Sequence, residues 1–91
     1  MTLSKEQYDT LTEWIAQNLI RTKIYDLKDD TGIIRTCFEQ SPVGFYLDND
    51  TLNQIMQDCG YIPKSLGNDP YMAYTISRNS PAFIRYFGRN R

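Results

Sequence analysis

The sequence contains no histidine and only two cysteines. Histidine is the commonest general base and a frequent metal ligand, so its absence argues against most hydrolytic and metal-dependent chemistry. Cys37 and Cys59 lack the CxxC spacing of a zinc site, and nothing indicates export to an oxidising compartment. We therefore expect two buried free thiols, no catalytic residue and no metal site.

Long apolar runs and glycine-rich loops are also missing. No stretch approaches the ~18–20 apolar residues that span a bilayer, and residues 1–8 lack the basic and then apolar pattern of a secretory signal. The five glycines are dispersed and form no phosphate-binding loop. The sequence predicts a cytoplasmic protein that catalyses no reaction and binds neither a cofactor nor a membrane.

The composition is otherwise that of an ordinary folded domain. Apolar residues make up 41% of the 91 residues and aromatic residues 13%. Because each aromatic ring buries a large apolar area, these residues can build a thin but ordered core. No linker or internal repeat divides the chain, so we expect a single domain over residues 1–91, with 88–91 as a flexible tail.

Three segments have apolar residues at helical spacing, and each begins with a capping residue. Ser4 begins the first helix, which the periodicity extends to about Ile20. Asp29 or Asp30 can cap the second helix, and Asp48 can cap the third. The sequence therefore predicts a core of three helices.

Strand-forming residues follow a different distribution. The segments 22–27, 61–62 and 72–76 are short and rich in β-formers. Residues 63–70, between the last two segments, are typical of a turn-rich loop. Ser80 precedes a proline, which predicts the start of a short final helix.

The predicted order is helix, strand, helix, helix, strand, loop, strand and short helix. Over about residues 4–77 this order resembles a winged helix-turn-helix domain, an α+β fold with a three-helix core and a C-terminal β-hairpin as the wing. The runs 34–38, 44–46 and 49–61 are also similar to small winged-helix modules of phages and mobile elements. The resemblance implies a third helix in the major groove of double-stranded DNA, a wing on the DNA backbone and, frequently, a homodimer.

The sequence departs from the winged-helix pattern at two points. The connector 41–47 is longer than the usual turn of ~3–4 residues. The predicted solvent face of the third helix carries acidic residues and no Lys or Arg, although phosphate contacts normally supply most of the affinity for DNA. Its amide side chains, Asn53, Gln54 and Gln57, are candidates for reading adenine edges.

Positive charge is concentrated in the last third of the chain. Residues 1–60 hold ten acidic and five basic side chains, whereas residues 61–91 hold five basic side chains and one acidic one. Such asymmetry is typical of a surface that binds nucleic acid or an acidic protein. The predicted nucleic-acid contacts of this segment are Lys64, Asn68, Arg78, Asn79, Arg85, Arg89 and Arg91.

The acidic third helix leaves a second hypothesis open. The domain would then be a regulatory or inhibitory module that binds a basic protein through this helix and through exposed aromatic residues such as Trp14, Phe45 and Tyr46. The basic final third of the chain and the winged-helix resemblance both favour nucleic acid. We therefore expect DNA binding through the wing, with modest sequence specificity.

Overall fold

The computed structural model describes residues 1–88, which form four helices and three strands. The predicted α+β class is confirmed. The tail residues Arg89 and Arg91, predicted to contact nucleic acid, lie outside the described residues. In chain order the elements are α1 (Lys5–Asn18), β1 (Arg21–Asp26), α2 (Thr31–Glu39), α3 (Asn49–Asp58), β2 (Lys64–Ser65), β3 (Met72–Ile76) and α4 (Pro81–Phe87).

The first three helices begin at the predicted caps. Ser4 Oγ accepts a hydrogen bond from the Gln7 backbone N–H at 3.1 Å, and Gln7 Oε1 accepts one from the Ser4 N–H at 3.0 Å, which completes a capping box. Asp30 and Asp48 each accept a hydrogen bond from the backbone N–H three residues further on. Each cap satisfies a backbone donor that the helix itself leaves unpaired.

The last helix begins after Ser80, as predicted, but the hydroxyl of this serine does not cap it. Ser80 is fully buried. Its Oγ accepts a hydrogen bond from the Ile20 N–H at 2.8 Å and donates one to the Ser77 carbonyl at 2.7 Å. Ser80 therefore ties the start of α4 to the chain that enters β1.

One apolar core joins all four helices to the sheet. Its largest fully buried side chains include Leu11, Ile34, Phe38, Leu52 and Tyr74. Trp14 packs edge-on against Phe38, with ring centroids 5.2 Å apart. Trp14 is only 4% exposed, so the prediction of an exposed indole is wrong. The buried face of α1 is wider than the spacing of its apolar residues indicated, because α4 also packs on α1 and helps to cover Trp14.

The three strands form an antiparallel sheet in the order β1–β3–β2. Arg21 lies opposite Ile76 and Asp26 lies opposite Tyr74. The register therefore shifts between these two pairs, because more residues of β1 than of β3 lie between them. The extra residues of β1 bulge away from its partner. The pairing of β1 with β3 places residues of the first third of the chain beside the C-terminal hairpin.

The second strand lies later than predicted. It is Lys64–Ser65, not residues 61–62. Tyr61 belongs to the end of α3, because its backbone N–H donates to the Met56 carbonyl at 3.0 Å while Gly60 has a left-handed φ of 93°. The ring of Tyr61 is then buried in the core. Helix capping therefore outweighs the β propensity of this segment.

Within residues 1–88, no helix is both long enough and apolar enough to cross a bilayer.

Candidate nucleic-acid interface

Two of the predicted basic contacts lie against the end of β1. Lys64 is exposed on β2, and its Nζ is 5.5 Å from the centroid of the Tyr25 ring. Arg78 follows β3, and its Nε is 3.6 Å from Asp26 Oδ1. Because Tyr25, Asp26 and Arg78 line one shallow pocket, the sheet brings these two cations to the same part of the molecule.

The anchor of Arg78 is a buried carboxylate. Asp26 Oδ1 accepts backbone hydrogen bonds from Lys28 at 3.0 Å and from Asp29 at 3.2 Å. Burial by itself raises the pKa of Asp26, but hydrogen bonds from Asp29 and Lys28 and the Arg78 guanidinium outweigh this effect and lower the pKa below its ordinary value. Asp26 is therefore charged at neutral pH and holds one edge of a guanidinium whose side chain is 52% exposed.

The strands carry further basic residues that the charge distribution along the sequence concealed. Arg21 and Lys23 lie on β1 and are exposed. The one acidic residue of the three strands, Asp26, is buried. Every exposed charged side chain on β1, β2 and β3 is therefore basic. Only the pairing of β1 with β3, which a winged-helix topology implies, could have signalled that these residues join the hairpin.

Arg21 is held in place on this surface. Its Nη1 donates to the Gly60 carbonyl at 3.1 Å and its Nη2 donates to the Cys59 carbonyl at 2.7 Å. The guanidinium also lies 4.0 Å from the centroid of the Tyr61 ring. These contacts place a positive charge at the C-terminus of α3, where it complements the helix dipole.

The predicted asparagines lie in exposed turns. Asn68 is in the loop between β2 and β3, where its carbonyl accepts a hydrogen bond from the Tyr71 N–H at 3.1 Å. Asn79 follows β3, and its N–H donates to Ser77 Oγ at 3.1 Å. Both side-chain amides are exposed and make no hydrogen bond with residues 1–88, so they are available to a ligand. Asp69 places one carboxylate in the same loop as Asn68.

Arg85 lies apart from the other predicted cations. It is exposed on α4 and lines a cleft with Trp14 of α1 and with Ser41 and Val43 of the segment between α2 and α3. None of the residues that line this cleft belongs to a strand. Within residues 1–88, the predicted basic contacts therefore lie at two sites. Lys64 and Arg78 lie beside β1, and Arg85 lies on α4.

Asn53 is not on the solvent face of α3, and the prediction that placed it there is wrong. It is 8% exposed. Its Oδ1 accepts hydrogen bonds from Thr31 Oγ1 at 2.8 Å and from Tyr74 OH at 2.6 Å, and its Nδ2 donates to the Pro70 carbonyl at 2.7 Å. Asn53 thus satisfies two buried hydroxyls and ties α3 to the loop between β2 and β3. Helical spacing alone did not reveal this inward position.

Burial raises the pKa of Tyr74 above its ordinary value, so its hydroxyl stays protonated and donates to Asn53.

The remaining amides of α3 are exposed among acidic residues. Gln54 Nε2 donates to Asp58 Oδ1 at 3.2 Å, and Gln57 Nε2 donates to the Asn53 carbonyl at 3.3 Å. The exposed charged residues of α3 are Asp50 and Asp58. The acidic face predicted for this helix is confirmed, and it contrasts in sign with the strands.

The two thiols differ in their surroundings. Cys37 is buried, as predicted, whereas Cys59 is only partly buried, and neither forms a disulfide within residues 1–88. Burial and the nearby Asp58 raise the pKa of Cys59, and Arg21 partly opposes them. The Cys59 thiol is therefore not activated. Among residues 1–88, no three His, Cys, Asp or Glu side chains are grouped as a metal site requires.

Comparison with protein-family models, curated proteins and solved structures finds no match to this chain. Its function is therefore inferred from the placement of its own side chains.

Proposed function

We propose that this chain is a winged-helix domain that binds double-stranded DNA through its sheet and wing. The observation that carries the proposal is the uniform sign of the sheet surface, on which every exposed charge is basic. DNA carries a dense line of negative charge, and a protein gains affinity by replacing its condensed counterions with Lys and Arg.

The topology supports the winged-helix assignment. Two helices follow β1, a hairpin follows the second of them, and β3 lies between β1 and β2. In this arrangement the β2–β3 loop is the wing. Its base is fixed to α3 by the hydrogen bond from Asn53 to Pro70, which holds the wing against the helical core.

The binding mode that fits these charges is wing-first. Lys23 and Lys64 contact phosphates from the strands, and Arg78 presents the free edge of its guanidinium beside them. Asn68 donates to a phosphate from the wing. The acidic face of α3 is repelled by phosphate, so few side chains reach base edges and sequence specificity is modest.

A titration of a labelled duplex against salt tests this proposal. From about 50 mM to about 200 mM salt, the logarithm of the association constant should fall linearly with the logarithm of the salt concentration. The double variant Lys23→Gln/Lys64→Gln should bind more weakly. The magnitude of its salt slope should be smaller by about 1.8, because each phosphate contact contributes about 0.9 to that slope. The matched control is Lys5→Gln on α1, where Lys5 is already paired with Asp9 at 2.8 Å.

Two results would overturn the proposal. One is the absence of duplex binding by the unmodified chain at low salt. The other is a loss of binding free energy in Lys5→Gln, which removes one charge, that is half the loss in the double variant, which removes two; this would mean that binding depends on net charge and not on the sheet surface.

The acidic face of α3 supports a second candidate function, the binding of a basic protein. The variant Asp50→Asn/Asp58→Asn separates the two. Removing these charges should leave duplex affinity unchanged, or raise it because repulsion of the phosphates is lost. Any rise should be confined to low salt, because salt screens the repulsion between exposed charges. If α3 instead binds a basic protein, the same variant should lose affinity for the model basic protein cytochrome c.

A further inference from the structure

Two acidic side chains are buried in the turn that joins β1 to α2. Asp26 is 5% exposed and Asp29 is 2% exposed. The Asp29 backbone N–H donates to Asp26 Oδ1 at 3.2 Å, so the two residues lie in one compact turn. Burial disfavours the charged form of a carboxyl group, and a second carboxylate close by disfavours it further. Two ionised carboxylates are therefore an unfavourable state of this turn.

The two side chains are hydrogen-bonded to one another. Since a carboxylate can only accept hydrogen bonds, one of the two groups must carry a proton and donate it. Asp26 is the acceptor. Burial raises its pKa, but the side-chain hydrogen bond of Asp29, the backbone N–H groups of Asp29 and Lys28, and the Arg78 guanidinium outweigh burial and lower the pKa. The proton therefore resides on Asp29.

The groups around Asp26 favour the same distribution. Arg78 Nε lies 3.6 Å from Asp26 Oδ1, beside the acid that keeps its charge. Asp26 Oδ2 is buried and accepts no hydrogen bond from an N–H or hydroxyl group of residues 1–88. A buried acceptor without a donor is costly, and a protonated carboxyl group is a donor that can satisfy it.

The other titratable groups of this region are engaged elsewhere or exposed. Asp30 caps α2 by accepting from the Ile33 N–H at 3.1 Å. The hydroxyl of Tyr74, which lies opposite Asp26 on β3, donates to Asn53. The side chain of Lys28 is exposed, and the ring of Tyr71 lies against Gly32 in the first turn of α2. These contacts leave the proton on the pair of Asp26 and Asp29.

We infer that Asp26 and Asp29 share one proton at neutral pH and that this proton fastens the turn between β1 and α2. In the unfolded chain an aspartate ionises at about pH 3.9 and keeps no such proton. Above that pH the folded domain therefore holds one proton more than the unfolded chain, and its stability falls as the pH rises. The turn is thus a pH-sensitive link between the sheet and the helical core. This inference does not rest on DNA binding.

The chain is suited to a test of this link because it contains no histidine. Between about pH 5.5 and pH 7, few other side chains change their charge. Urea unfolding at a series of pH values gives the folding equilibrium constant. For the unmodified chain this constant should fall about tenfold per pH unit, because unfolding releases one proton. The variant Asp29→Asn should show no such fall, because its amide can donate to Asp26 but cannot ionise.

The matched control is Asp69→Asn, which removes an exposed carboxylate of the β2–β3 loop and should keep the tenfold dependence. Carbon-13 NMR of the unmodified chain observes the pair directly. At pH 7 the side-chain carboxyl resonance of Asp29 should be that of a protonated acid, and the resonance of Asp26 that of a carboxylate.

Two results would overturn the inference. One is that both carboxyl resonances are those of carboxylates at pH 7. The other is that the stability of Asp29→Asn depends on pH in the same way as that of the unmodified chain. If Asp29→Asn does not fold, the carboxyl resonances of the unmodified chain decide alone.

Discussion

Asn53 is the residue whose replacement most directly tests the packing of this domain. Its amide joins α2 through Thr31, β3 through Tyr74 and the β2–β3 loop through Pro70, at 2.8, 2.6 and 2.7 Å. The substitution Asn53→Ala removes all three hydrogen bonds and leaves the neighbouring groups in place. If Asn53 were instead an exposed reader of DNA bases, the same substitution would affect binding and leave stability unchanged.

The cost follows from the groups left behind. Tyr74 is fully buried, and its hydroxyl would lose its acceptor. Thr31 is also fully buried but keeps a weaker contact with the Met72 carbonyl at 3.4 Å. An unsatisfied buried polar group costs about 1–3 kcal/mol, so we expect Asn53→Ala to lower the free energy of unfolding by about 2–4 kcal/mol. A domain of this size has only about 5–14 kcal/mol in total.

Urea unfolding followed by Trp14 fluorescence measures this loss. The matched control is Gln54→Ala, the next residue of α3, whose exposed amide donates a hydrogen bond to Asp58. Its cost should stay within about 0.5 kcal/mol. The double variant Asn53→Ala/Tyr74→Phe should cost less than the sum of its single variants, because both remove the same hydrogen bond. Equal costs for the Asn53 and Gln54 variants, or strict additivity of the pair, would refute this account.

Two further substitutions test the connector and the third cap. Gly44→Ala should lower the free energy of unfolding by about 1–3 kcal/mol in the same urea assay, because a Cβ there would lie 2.3 Å from the Phe38 carbonyl oxygen and 2.6 Å from that of Glu39. Asp48→Ala should cost about 1 kcal/mol at neutral pH. Hydrogen bonds from Thr51 lower the pKa of Asp48, so its stabilising effect is present above about pH 4 and is lost as the pH falls through the folded-state pKa. A difference from the unmodified chain that persisted unchanged below pH 3 would contradict this assignment.

The features that the sequence predicted correctly depend on neighbours in the chain. Ser4, Asp30 and Asp48 are recognisable as caps because the groups they satisfy lie three residues away. The strand Met72–Ile76 likewise lies where its β-formers predicted it. Local chemistry decides these features, so a single sequence is enough to identify them.

The features that were missed depend on contacts distant in sequence. Asn53 looks like a solvent-facing polar residue until Thr31 and Tyr74, 22 and 21 positions away, are brought against it. Trp14 looks exposed at the edge of its stripe until α4 packs on α1. Neither pairing leaves a periodic signal in the sequence.

The candidate interface shows the same limit for charge. Counted along the chain, the basic residues belong to the last third, and Arg21 and Lys23 lie in the acidic part. Antiparallel pairing of β1 with β3 moves these two residues beside the C-terminal hairpin, while Asp50 and Asp58 stay on α3. In the folded domain the exposed charges of the strands are therefore basic and those of α3 are acidic, whatever their position in the chain. A basic sheet and an acidic helix on one small domain orient it in the field of a charged partner before contact. An anionic surface would attract the strands and repel α3.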